Sequence, residues 1–343
     1  MNKYLLYAVA ALIVLASGWI VLLGPSTPTV VEIATTSENP ITTSVALSPE
    51  QPTVGSETLL TFTFTNPDGS PVTDLMVHHG REVHAVLVGE NLASIGHIHP
   101  QDFPELNSSN TPGVYTVAYT FPEAGRYIVA VDVMNGNGEY NKQYLVDVVG
   151  TPKMGVLTEN NATTKCFIGY TESGQDRHTH PVRSEESNTA CPNEYMVTFE
   201  TATPDVYASE PVVLHYRVEK DGMPVTDLVP YLDAAIHFAV IPTSFTTLFH
   251  RHGAAVENSI MESTSMRMES SETSIGEDTM EDMGTATEHN SMTKMSHSST
   301  PSKFGPNLIS EPITFPTKGR YTIFAQFKHG SEIVFSDFQI EVQ

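Results

Sequence analysis

Six histidines fall into two sets with one spacing. His84, His97 and His99 recur 153 positions later as His237, His250 and His252. The windows 84–99 and 237–252 align without a gap, and the histidines are their only identical positions. Apolar positions stay apolar while their identities change. Imidazoles that stay fixed while their surroundings diverge point to chemistry that needs imidazole, most commonly a metal ion. The plainer alternative is a buried histidine hydrogen-bond network that only supports the fold.

Strand geometry explains how such a set can converge. Residues i and i+2 of a strand point to one face, so His97 and His99 aim at one place. His84 lies in the preceding apolar run, Val83 to Val88, with a turn-like Gly89-Glu90-Asn91 between. Three nitrogen ligands from neighbouring strands, with room for water or a fourth residue, suit Cu(II) or Zn(II). Extra ligands are available at His78 or His79 in the first copy and at His329 in the second.

A second ligand type stands beside the second set. From about 253 to 303 the chain is mostly Ser, Thr, Glu and Met, a composition that predicts disorder. Met261, Met266, Met268, Met280, Met283, Met292 and Met295 lie here, seven of the chain's 13 methionines. The pairs Met266/Met268, Met280/Met283 and Met292/Met295 are spaced to chelate one soft ion, with His289 and His297 flanking the last. Thioethers favour Cu(I). A low-complexity linker or an oxidation sink is the competing account.

The elements that must carry these residues are duplicated. Gly69-Ser70-Pro71-Val72-Thr73-Asp74-Leu75 matches Gly222-Met223-Pro224-Val225-Thr226-Asp227-Leu228. Thr120-Phe121-Pro122 and Gly125-Arg126-Tyr127 match Thr314-Phe315-Pro316 and Gly319-Arg320-Tyr321 at an offset of 194, so the second copy carries a 41-residue insertion. Leu60, Phe62 and Phe64 alternate with threonines, as do Val212, Leu214, Tyr216 and Val218 with other residues. Turn residues punctuate such runs roughly every ten positions. The pattern predicts an all-β chain of two tandem immunoglobulin-like or cupredoxin-like β-sandwich domains, residues 44–150 and 195–343, after an N-terminal transmembrane helix.

Tyr4 to Leu23 carry no charge, and at about 1.5 Å per residue they are long enough to cross a bilayer. Residues 1–24 therefore read as a membrane anchor, or as a signal peptide cut near Ala16-Ser17-Gly18, and 25–43 as a Ser/Thr/Pro linker. Either places the bulk of the chain outside the cytoplasm, periplasmic or at the cell surface, and secreted if the segment is cleaved. A net charge of −23 argues against nucleic acid as a partner. Cys166 and Cys191 lie in the connecting segment 151–194, and in an exported chain a disulfide is the default. Closing that loop stabilises by about 3 kcal/mol in the chain-entropy model.

The Gly-x-Pro-Val-Thr-Asp-Leu turn, the His followed by His-x-His, and the closing Phe-Pro-x-x-Gly-Arg-Tyr strand together resemble the YtkA-like family of exported β-sandwich domains. The second copy is the more similar, through Tyr231-Leu232, His237, Phe249-His250-Arg251-His252-Gly253 and Phe327-Lys328-His329-Gly330. The first departs from it, with His78-His79 and Asn135 at the corresponding places. The resemblance implies an immunoglobulin-like fold and a copper- or heavy-metal-linked role.

The expected function is extracytoplasmic copper binding, buffering or delivery, with zinc as the other candidate ion and a copper transporter or other exported protein as partner. A blue-copper carrier needs a cysteine ligand, which neither copy has. A copper-dependent superoxide dismutase shares the sandwich and His-x-His but nothing further. Hydrolase and phosphate-loop motifs are absent, so no enzymatic activity is expected. The alternative is a metal-free module of tandem immunoglobulin-like domains that binds a protein partner.

Overall fold

A computed structural model describes residues 30–33, 40–151, 161–171, 179–181, 191, 194–256 and 303–343. Among them regular structure is entirely β, apart from one 3-10 turn at Pro100–Asp102. The cause is visible in single strands. In Glu57–Thr65 the buried Leu60, Phe62 and Phe64 alternate with half-exposed threonines, the period-2 pattern of a strand with one face on a core. The chain divides into two compact units.

The first unit is a β-sandwich. Its strands are β1 (Val30–Ile33), β2 (Thr42–Ser48), β3 (Glu57–Thr65), β4 (Val83–Gly89), β5 (Ser94–Ile98), β6 (Val114–Thr120), β7 (Gly125–Asn135) and β8 (Gly138–Val148). One sheet runs β2-β3-β6, and the other contains β1-β8-β7-β4-β5, antiparallel throughout. Leu60, Phe62, Phe64 and Val117 meet Val83, Ala85, Leu87, Val129 and Val131 in the core between them. Fully burying one such side chain contributes roughly 1.5–3 kcal/mol. β4 is buried along its whole length, so its other face, with His84, Val86 and Val88, is covered as well. Residues 244–248 belong to this unit too. Gln143 of β8 holds them, donating to the Leu248 carbonyl at 2.6 Å and accepting its N–H at 2.8 Å.

The connecting segment 151–194 contributes strands to both units. β9 (Thr164–Phe167) and β10 (Gly169–Thr171) belong to the second unit, and β11 (Thr179–Pro181) extends the first by pairing with β5. Free sheet edges explain this: exposed N–H and C=O groups take up any extended neighbour. Cys166 and Cys191 are joined as a disulfide, Cα to Cα 5.8 Å, which ties β9 to the start of the next strand.

The second unit adds β12 (Tyr195–Thr201), β13 (Pro211–Val212), β14 (Leu214–Lys220), β15 (Met223–Pro224), β16 (Leu228–Val229), β17 (Ile236–Pro242), β18 (Phe249–Ala255), β19 (Asn307–Ser310), β20 (Ile313–Thr314), β21 (Gly319–His329) and β22 (Glu332–Val342). The order β22-β21-β17-β18 repeats β8-β7-β4-β5 of the first unit. Here β19 pairs with both β18 and β14, so the layers join into one path, β10-β22-β21-β17-β18-β19-β14-β12-β9. Phe199, Tyr216, Phe238, Phe327 and Phe338 fill its core.

The expected N-terminal helix, residues 1–24, lies outside the described residues. So do Met266, Met268, Met280, Met283, Met292, Met295, His289 and His297. Among the described residues no helix is long and apolar enough to cross a membrane.

Candidate metal centre

Strand register builds each triad. Ala85 pairs with Ile98 and Val86 with His97, a register that sets His84 opposite His99. In the second unit His237 pairs with His252 and Ala239 with His250. In each case two histidines face each other across the ladder, and the third lies two residues along on the same face. A slip of one residue would turn the β5 or β18 pair away from its partner.

The first triad closes to a triangle of nitrogens. His84 Nδ1 lies 3.3 Å from His97 Nε2 and 3.2 Å from His99 Nε2, and the last two are 3.2 Å apart. The rings are almost wholly buried, at 3%, 6% and 1% exposure for His84, His97 and His99. Outer partners set two of the tautomers. His84 Nε2 donates to the His78 carbonyl at 2.9 Å, so the Nδ1 lone pair points inward. His99 Nδ1 donates to Asp102 Oδ2 at 3.1 Å, so the Nε2 lone pair points inward as well. Two inward lone pairs 3.2 Å apart repel unless a cation lies between them. Three nitrogens each about 2.0 Å from one tetrahedral ion are spaced about 3.3 Å apart. The donor set therefore fits an ion in both charge and size.

Two local devices hold those outer partners. His78 and Arg81 form a bridge around a two-residue turn, with His79 at φ 48° and Gly80 at φ 74°. Positive φ at both central residues is the type I′ hairpin turn. It presents the His78 carbonyl to His84. Pro100 then ends β5 and opens the 3-10 turn, in which Asp102 also accepts the His99 backbone N–H at 3.0 Å. Asp102 Oδ1 lies 3.9 Å from Arg81 Nη2. A carboxylate behind a ligating histidine fixes its orientation and raises its basicity.

The second triad repeats the ring arrangement. Centroids of His237 and His250 are 5.9 Å apart, of His237 and His252 4.8 Å, and of His250 and His252 4.6 Å. The matching values in the first triad are 5.6, 4.8 and 4.7 Å. His237 Nε2 donates to the Tyr231 carbonyl at 2.8 Å. That carbonyl again comes from an I′ turn, with Leu232 at φ 49° and Asp233 at φ 58°. The atoms corresponding to the first triangle, His237 Nδ1, His250 Nε2 and His252 Nε2, are shut off from solvent.

The remaining candidates play other parts. His78 serves His84 through its backbone carbonyl, and its ring packs on His79 at 4.1 Å. His329 has both nitrogens engaged away from the triad. Nε2 lies 2.9 Å from Asp227 Oδ1, and Nδ1 lies 2.7 Å from the Tyr195 hydroxyl. That hydroxyl donates to Glu332 at 2.6 Å, and Lys220 donates to both. The His329 hydrogen bond holds the Asp227 carboxyl below its usual range, and Lys220, then Tyr195, do the same for Glu332. Asp102 was not singled out in the sequence. Its signal is the run His99-Pro100-Gln101-Asp102, with proline opening a turn and an acid at its third position.

No curated protein sequence matches the chain. A solved structure from work titled "Structural basis for the promiscuous specificity of the carbohydrate-binding modules from the beta-sandwich super family" aligns over 89% of this chain and 100% of its own, at 10% identity and a TM-score of 0.20. That level of similarity bears on neither fold detail nor ligand. A family model described as "Domain of unknown function (DUF8832)" matches residues 38–150 and 188–277, two stretches that contain the two triads. With well over half of its length matched, this chain is a member of the DUF8832 family.

Proposed function

We propose that this protein binds metal outside the cytoplasm through its histidine triads, with copper as the first candidate ion and zinc as the second, and that it buffers or delivers the ion rather than transforming a substrate. The single observation that carries this is the triangle of nitrogens at 3.2–3.3 Å, with tautomers set so that lone pairs of His84 and His99 point inward. A purely structural histidine network places a proton between each pair of close nitrogens; this one turns lone pairs toward a common point. All-imidazole ligation accommodates Cu(II), Cu(I) and Zn(II). The methionine pairs of the 253–303 segment add thioether donors, which favours copper and a Cu(I) hand-over to an exported partner or transporter. The apolar N-terminal segment fits a membrane anchor that holds the units beside such a partner.

The test is titration of the full-length protein with Cu(I) under anaerobic conditions, with Cu(II) and with Zn(II). Saturable tight binding that is lost when His84, His97 and His99 are replaced together by alanine is the expected result. Weak, non-saturating uptake unchanged in that variant would leave only attraction of cations to the chain's net charge of −23.

A further inference from the structure

The second unit encloses a lysine that the metal site does not use. Lys165, on β9, is fully buried. Its Nζ donates to Asp337 Oδ2 and to the Asp337 carbonyl, both at 3.0 Å, and lies 5.3 Å from the Phe338 ring centre. Asp337, on β22, is buried as well. β9 and β22 are the first and last strands of the second unit, and they sit near opposite ends of its hydrogen-bonded path. No backbone ladder joins them, and this side-chain pair spans the interior.

An amine and a carboxylate in contact in an apolar core are poorly served by remaining an ion pair. Desolvation of two charges offsets their attraction unless every remaining lone pair and proton is satisfied. Here Asp337 Oδ1 is buried without a hydrogen-bond partner among the described residues, and so is the Tyr216 hydroxyl. The equivalent place in the first unit holds a neutral side chain. Gln143 faces Ala130 as Asp337 faces Phe324, and it bonds fully to the Leu248 backbone.

We infer that Lys165 and Asp337 condense to an intramolecular amide that covalently joins the first and last strands of the second unit. The pair holds all the atoms required. A proton passes from the ammonium to the carboxylate, giving a neutral amine and a carboxylic acid. Nζ attacks Cγ, the Nζ–Cγ bond forms, a Cγ–O bond breaks, and the oxygen leaves with two protons as water. No oxidant, reductant or other reactant is consumed. The Tyr216 ring packs 5.7 Å from that of Phe338, and its buried hydroxyl feels the charge of Asp337. Burial, then the charge of Asp337, holds its phenol well above the usual range.

The test is intact mass spectrometry of the folded full-length protein after denaturation and reduction of the disulfide. The expected mass is lower than the sequence mass by one water, and proteolysis yields a branched peptide containing both Lys165 and Asp337. Lys165→Met and Asp337→Ala each restore the full mass for their sequence. Wild-type protein at full mass overturns the inference and leaves an ion pair. So does loss of water confined to Asp337 with Lys165 unlinked. The wild-type measurement decides the matter even if neither variant folds.

Discussion

The two histidine triads share ligands, register and inner ring geometry, and they part company one residue after the last histidine. In the first unit that residue is Pro100. Proline has no N–H for the ladder, so β5 stops at Ile98 and the chain turns, bringing the Asp102 carboxylate onto His99. In the second unit it is Gly253. There the strand continues and pairs Gly253 with Ser310, and the position equivalent to Asp102 is Ala255. Glycine is required, because a Cβ on residue 253 would fall 2.2 Å from the Ile309 carbonyl oxygen and 2.6 Å from Ile236 Cγ2. The first triad therefore has the Asp102 carboxylate behind His99, and the second has three ladder positions beside it that join its two layers.

The largest expected effect comes from removing ligands on one side only. Replacing His84, His97 and His99 together by alanine abolishes one class of site in a calorimetric titration and leaves the other. The matching change at His237, His250 and His252 removes the remaining class alone. Loss of both classes in either variant would show that the triads do not act as separate sites.

Next in size is Gly253→Ala. Overpacking of this kind costs about 1–3 kcal/mol. It lowers the denaturation midpoint of the second unit and weakens its metal binding, while the first triad's affinity is unchanged. Pro100→Ala, in contrast, relaxes the Asp102 turn with little loss of stability.

Asp102→Asn probes the outer partner by itself. Loss of an outer-shell carboxylate typically costs 10–100-fold in metal affinity. The first triad weakens by that factor, and the affinity of the second does not move. An unchanged affinity in the first triad would remove Asp102 from the account.

The smallest effect is on pH dependence. Asp227 and Glu332 have lowered carboxyl pKa values in the folded second unit, from reference values of 3.8 and 4.5. A depressed folded value means that the stabilisation is fully present above the reference value and is lost as pH falls through the folded one. Asp227 is exposed and Glu332 half-buried, so solvent screening keeps the contribution modest. Asp227→Asn with Glu332→Gln flattens the decline of second-unit stability below about pH 4.5. The first unit's acid limb stays unchanged.

Much of this architecture was legible in the chain. Period-2 alternation marks β3 and β14, and the fixed spacing of the triads follows from one cross-strand register used twice. What the sequence hid is non-local. His79 stands at a positive-φ place of a turn that Leu232 occupies in the other unit, and each turn presents a carbonyl to a triad histidine. His329 reads as a fourth ligand, but Asp227 and Tyr195 claim both of its nitrogens from distant strands. The strands of the connecting segment are too short to declare themselves, and they form because sheet edges lie open to them. Lys165 and Asp337, 172 residues apart, carry no local signal at all.

The central claim is that the first triad is a metal ligand set. Anomalous diffraction from crystals of the copper- or zinc-loaded protein, recorded at the metal's absorption edge, tests it directly. A peak about 2.0–2.1 Å from His84 Nδ1, His97 Nε2 and His99 Nε2 is the expected result. Peaks confined to surface carboxylates, with nothing among those three nitrogens, would contradict it.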